Sequence, residues 1–270
     1  MNTGRRSSHT LVCIVLSLGL MLQQAGAVTL LRTSAQMQSE PKFVPAGTDG
    51  RPAVAGLCID IFRAIEKLDA GLAFSGDQEW NPPARLDASL ESGLLDVMCG
   101  MVQTPRRNER LAVLRPSLFS LRYVLLARAG DDAVVARWSD VTALPGRPVV
   151  LSLLGTGPSR QLRDVPGLAV DAGSDSVQHN LDKLVVGRGR FFYYRLPAAN
   201  PTIHRYCQSG KIKVLPAVMR EEPVYMMLGR HVPPAIGRRI EAALRRMKTD
   251  GELDLLMKKW QVAGPAGAPC

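Results

Sequence analysis

Between Val28 and Trp260 the hydrophobic pattern keeps changing period. Short apolar runs of strand length give way to segments with apolar residues at helical spacing, and glycine or proline marks most of the changes. Strands alternating with helices restrict the chain to an α/β architecture with largely parallel sheets. "VTLLRT" is the first strand, followed by the Pro/Gly-rich loop "SEPKFVPAGTDGRPAVAG". "LCIDIFRAIEKL" places Leu57, Ile61, Ala64, Ile65 and Leu68 on one helical face. "GLAFSG" predicts a strand, "ARLDASLESG" a helix that stops at Gly93, and "LLDVMCGM" and "RYVLLARAG" two further strands. After Gly130-Asp131-Asp132 the alternation resumes with the strand "RPVVLSLLGTG" and the helices "PSRQLRD" and "SVQHNLDKLVVG". "RFFYYR", "GKIKVLPA" and "PVYMMLGR" read as three separate strands. Two terminal helices, interrupted at Gly251, and the irregular tail "QVAGPAGAPC" complete the chain. No short tandem repeat is present.

The N-terminus indicates the compartment. Arg5 and Arg6 precede an apolar run from Leu11 to Leu22, then the small residues Ala25-Gly26-Ala27. This is the pattern of a secretory signal peptide cut after Ala27, and the run is too short for a membrane span. Cys13 is not a lipoprotein cysteine, because the apolar run follows it. The expected mature protein is a soluble periplasmic chain long enough to bury a sizeable core. The net charge of +10 would suit nucleic acid in another compartment. In an exported protein it fits a docking surface or attraction for anionic solutes. Once the leader is removed, Cys58, Cys99, Cys207 and Cys270 remain, in a compartment that permits disulfides. Their spacings match no zinc pattern and leave three pairings open, so neither a metal nor another cofactor is expected.

The run "GRGRFFYYR", Gly187 to Arg195, concentrates four consecutive aromatics among arginines. Basic residues beside ring faces could stack single-stranded bases. A strand with two apolar faces accounts for the same residues and suits the exported compartment, so no nucleic-acid partner is expected. Enzyme signatures are missing: the sequence has no Gly-x-Ser-x-Gly elbow, no His-Glu-x-x-His motif and no P-loop. His179, His204 and His231 stand isolated.

In open α/β sheets, ligands bind beyond the carboxyl ends of the strands. "DVMCGM" is followed by Thr104-Pro105-Arg106-Arg107, "VVLSLL" by Gly155-Thr156-Gly157 at the start of a helix, and "RFFYY" by Arg195. The first strand leads into the loop carrying Phe43, which is expected to face the ligand. The three strand ends after the first favour a negatively charged ligand.

These segments, in this order, resemble the periplasmic solute-binding proteins of the amino-acid-binding type, family 3. "DGRPAVAGLCIDIFRAIEK" is similar to the family's "DG…GFDVDLAKAI". "LESGLLDVMCGMVQTPRRNERLAVLRPSLF" is similar to "L..G..D…G…T.eR…..fS.Py". "LPGRPVVLSLLGTG" and "KTDGELDLLMKKW" match its "L.Gk.vgv..GT" and its closing "k.dG….i..KW". The resemblance covers about residues 29–260 and implies a two-lobe, type II periplasmic-binding-protein fold with a ligand cleft between lobes joined by two crossovers. Residues 28–128 and 224–260 are expected to form lobe one, 129–223 lobe two and 261–270 the tail. Each lobe is expected to have its own sheet, with the terminal helices on lobe one.

By position, Thr104 and Arg107 resemble the pair that holds a ligand carboxylate, and Gly155 and Thr156 the anion site of the opposite lobe. Trp80 matches an aromatic near the cleft, although "EWNPPARLDASL" is about three residues longer than the family pattern. Tyr193, on the same side of its strand as Arg195, is expected to line the ligand. The chain departs from the family at Arg195, which stands where amino-acid binders carry a carboxylate for the ligand's ammonium. A cation there repels an ammonium and attracts a second anionic group. The expected function is capture of a small anionic, carboxylate-bearing solute by a monomer, for a membrane permease complex or a sensor. The expected empty cleft is cationic, unpaired and open. A cyclohexadienyl-dehydratase-like enzyme, with Asp175, Glu221 or Glu222 as the acid, and a sensory or assembly partner of a periplasmic enzyme system are the alternatives. Related receptor cores tie lobe two to the C-terminal tail, which implies a Cys207–Cys270 disulfide. Cys58 and Cys99 are left either paired or as buried thiols.

Overall fold

The structure, a computed structural model, describes residues 27–37, 39–47, 53–196 and 200–262. The expected leader, apart from Ala27, and the tail from Ala263 onward lie outside the described residues. The chain opens with β1 (Thr29–Arg32), β2 (Ala35–Gln36), β3 (Val44–Ala46) and β4 (Ala53–Ala55). Next come α1 (Leu57–Leu68), β5 (Leu72–Ser75), β6 (Trp80–Asn81), α2 (Pro83–Ser92) and β7 (Val97–Val102). Then follow α3 (Pro105–Arg110), β8 (Leu111–Val113) and β9 (Phe119–Arg128). The second half contains α4 (Trp138–Ala143), β10 (Val149–Leu153), α5 (Gly157–Arg163), β11 (Ala169–Ser174) and α6 (Val177–Val185). It continues through β12 (Phe191–Arg195), α7 (Pro201–Gln208), β13 (Ile212–Gly229), α8 (Pro234–Thr249) and α9 (Glu252–Lys259).

The core of lobe one forms around α1. Leu57, Cys58, Ile61, Phe62, Ala64 and Ile65 are buried along one face of this helix, as their spacing requires. Phe62 stacks on Phe74 of β5 with ring centroids 4.5 Å apart. β1 pairs in parallel with β5, and Ile240, Leu244 and Met247 of α8 and Leu253 of α9 close the same core. Asp96, just before β7, ties this lobe together. Its carboxylate accepts hydrogen bonds from the Arg32 backbone and guanidinium, and it lies 2.8 Å from His231 Nε2. Burial alone would raise the Asp96 pKa, but the bonds from Arg32 and the His231 contact outweigh burial and hold it at about 2.

Lobe two is built on the parallel strands β11, β10 and β12, with β9 and then β13 added antiparallel. The aromatic run alternates as a strand must. Phe191 and Tyr193 enter one cluster with Tyr123, Val141 and Leu162, while Phe192 and Tyr194 enter another with Leu181, Leu184 and Ile203.

Three expectations are corrected. "GKIKVLPA" and "PVYMMLGR" belong to one strand of 18 residues, β13, because β9 provides backbone partners along most of its length. The prolines that suggested a break are absorbed: Pro216 falls within a register shift between Val214 and Val218, and Pro223 pairs with Ser120. The sheets are therefore not separate, since the β9–β13 ribbon joins them in one seven-stranded sheet. The first lobe boundary also moves, from after Arg128 to about Arg122. Tyr123, Leu125 and Ala127 enter one lobe-two cluster and Val124 and Leu126 the other, while Phe119 and Val224 remain in the core of lobe one. Two lobes are still defined, because each cluster of buried side chains lies toward one end or the other of the shared ribbon, and the ribbon's apolar side chains divide between them.

Candidate functional site

The cleft residues lie where strands end. β7 leads to Thr104, whose hydroxyl oxygen accepts from the Arg107 backbone N–H and caps α3. This cap directs Arg107 toward α2. Its Nε and Nη2 donate to the two Asp87 carboxylate oxygens at 2.9 and 3.0 Å, and its Nη1 donates to the Val102 carbonyl at 2.9 Å. The guanidinium thus already makes the two-pronged contact expected of a ligand carboxylate. Arg106 makes a parallel pair with Glu91.

Arg195 ends β12 and reaches across to lobe one, where its Nη2 lies 3.4 Å from Glu40 Oε2. The expectation of an unpaired cationic cleft is therefore corrected: Asp87 and Glu40 already stand opposite the two guanidiniums. The Glu40 contact crosses between the lobes, so the described geometry is a bridged cleft.

The sequence reading missed Lys42. It lies in the loop between β2 and β3 and is only 5% exposed. Its Nζ donates to Gln36 Oε1 and to the Gly100 carbonyl, both at 2.9 Å. Burial is the main cause that lowers its pKa from 10.5 to about 7; the charges of Arg195 and Arg107 add to this, and Glu40 opposes it. Two glycines make room for this lysine. Gly56 (φ 132°) precedes α1, and a Cβ there would lie 2.3 Å from the Lys42 carbonyl oxygen. Gly100 (φ 76°) lies under the side chain, and a Cβ there would lie 2.4 Å from Lys42 Cδ. Alongside, Cys58 of α1 and Cys99 of β7 form a disulfide with a Cα–Cα distance of 5.8 Å. The available signal is the one that singles out Phe43, a loop following the first strand, and Lys42 carries no motif of its own.

Phe43 is fully buried in the core of lobe one, so its expected place in the cleft is corrected. A large ring gains more by joining the α1 core than by facing water. Tyr193 is likewise a core residue, 3% exposed, with Tyr123 and Trp138 rings 5.4 and 5.1 Å away. Trp80 is half-buried on β6 and packs against lobe one. Thr156 caps α5, accepting from the Ser159 N–H and donating to the Leu153 carbonyl, and Gly155 before it is exposed in a left-handed conformation. Glu222, one of the acids considered for an enzyme, is held by Arg220 and Gln161. Cys207 is disulfide-bonded, and Cys270 lies outside the described residues. No described group of His, Cys, Asp and Glu could hold a metal ion, and no described helix is long and apolar enough to cross a membrane.

Two α/β lobes on a shared two-strand ribbon, with charged strand ends meeting between them, define the type II periplasmic-binding-protein fold. Residues 36–263 match the family model of the bacterial extracellular solute-binding proteins, family 3, and the chain belongs to that family. Similar solved structures include ytmK from Bacillus subtilis, described as a probable amino-acid ABC transporter extracellular-binding protein. It has a TM-score of 0.68 at 14% identity, over 86% of this chain and 97% of that one. The amino acid ABC transporter substrate-binding protein AbpA from Streptococcus pneumoniae, bound to L-arginine, has a TM-score of 0.63 at 14% identity, over 87% and 94%. The ancestral amino acid-binding protein AncCDT-1, a precursor of cyclohexadienyl dehydratase, has a TM-score of 0.63 at 21% identity, over 86% and 95%. These likenesses establish the fold. A comparison with curated proteins finds no match.

Proposed function

We propose that this solute-binding protein is an exported monomer that captures a small carboxylate-bearing anion and presents it to a membrane permease of the ABC type. The observation that carries this reading is the inter-lobe pair between Arg195 and Glu40. Lobe two presents a guanidinium at the cleft, and the group that meets it there is a carboxylate. A ligand carboxylate that displaces Glu40 would make the same contact, and a second one could reach Arg107 by displacing Asp87. Binding to both lobes favours closure, since both contacts exist only in the closed state. Thr104, Gly155, Thr156 and Trp80 are proposed as the remaining ligand-facing positions. An ammonium-bearing ligand would face the Arg195 cation and be disfavoured. The relatives that bind arginine share the fold at low identity, so their ligand does not decide this one.

Calorimetry on the purified protein tests the proposal with fumarate and succinate against L-arginine and L-glutamine. The acids should bind, and Arg195→Ala should weaken them by roughly 2–5 kcal/mol. Arg107→Ala should abolish binding. Tight binding of L-arginine or L-glutamine that Arg195→Ala leaves unchanged would sink the proposal.

A further inference from the structure

Lys42 is buried, yet both of its acceptors are neutral. Gln36 Oε1 and the Gly100 carbonyl account for two of the three N–H groups of an ammonium. The surrounding elements contribute Gln36 from β2, Gly100 and Cys99 from β7, and Cys58 from α1. Arg107 comes from α3, Arg195 from β12, and Glu40 from the lysine's own loop. The Cys58–Cys99 disulfide does not titrate. Among these groups the one carboxylate is Glu40, and it is engaged with Arg195. A desolvated ammonium beside two guanidiniums is electrostatically costly, and an incoming anion would remove that cost.

We propose that Lys42 is an anion-contacting residue of the cleft that takes up a proton from solvent as a carboxylate enters between Arg107 and Arg195. The step balances simply: a neutral amine, a solvent proton and a carboxylate become an ammonium hydrogen-bonded to the carboxylate. This rests on the anion-capture reading and adds a residue and a proton to it. A ligand with two negative groups can engage Lys42 as well as Arg107 and Arg195. The depressed proton affinity of the empty site supports the proposal, since it leaves Lys42 about half neutral near pH 7.

The sign follows from linkage. The binding-competent ammonium form is populated below the pKa of the empty site and lost above it. Apparent affinity should therefore fall about tenfold from pH 6 to pH 8, in proportion to the ammonium fraction. Calorimetry with fumarate or succinate, in two buffers of different ionisation enthalpy, measures the proton directly. Wild type should take up about half a proton per ligand at pH 7, and Lys42→Met should bind more weakly with no uptake. If wild type binds an acid without proton uptake, or Lys42→Met keeps the same pH profile, the Lys42 inference fails while anion capture stands. If no acid binds, anion capture itself fails and the inference falls with it. A Lys42 side-chain carbon resonance, followed by NMR in the wild-type protein, needs no variant. A midpoint near 7 that moves up with ligand supports the proposal, and an ordinary lysine midpoint without ligand overturns it.

Discussion

At the scale of single residues, the site depends on space as much as on charge. Lys42 can lie across Gly100 because no Cβ occupies the position 2.4 Å from its Cδ, and the backbone there has a φ of 76°. Gly100→Ala would therefore incur a left-handed backbone and a clash together. It should destabilise the protein by about 1–3 kcal/mol and displace the Lys42 side chain. Urea unfolding checks the first effect, and the pH profile of ligand binding checks the second. An alanine variant with unchanged urea midpoint and unchanged binding would show that Lys42 does not rest there. The sequence shows Gly100 only as a glycine in a strand pattern, which signals a close approach without naming what approaches.

At the scale of elements, the cleft wall of lobe one is held by covalent and ionic ties between neighbours. The Cys58–Cys99 bond joins α1 to β7 beside Lys42 and closes a separation of 41 residues. Replacing both cysteines by serine should lower stability by about 2–4 kcal/mol under oxidising conditions. The urea midpoint reads this directly, and an unchanged midpoint would show that the packed interface alone fixes the two elements. α3 is similarly tied to α2 through Arg107–Asp87 and Arg106–Glu91. Arg106 is 72% exposed, so its pair contributes little, whereas Arg107 is 19% exposed and positions the helix. Among elements, α1, α8 and the β12 run were legible because their periods of 3.6 and 2 follow burial. β13 was not, because prolines and charges in its middle mimic a loop when the pairing strand is unknown.

At the scale of the whole molecule, the ribbon of β9 and β13 carries both crossovers, and the Glu40–Arg195 contact bridges the lobes at the cleft. On the anion-capture proposal, Glu40 competes with the ligand for Arg195. Glu40→Gln should therefore loosen the empty form, seen as a larger radius of gyration by small-angle scattering. The same change should strengthen anion binding, because the internal competitor is gone. If the radius and the affinity are both unchanged, the pair does not hold the lobes.

The alternation of strands and helices, the family resemblance, the helical face of α1, Arg107 shortly after β7 and Arg195 at the end of β12 are legible in the sequence alone. These are local properties, set by backbone period and by which side chains must leave water. Tertiary packing sets which carboxylate faces each arginine, that Phe43 and Lys42 are both buried, and that one ribbon unites the two sheets. Glu40 and Arg195 are 155 residues apart in sequence. Electrostatic contact depends on distance in space, and no local pattern of residues encodes that distance.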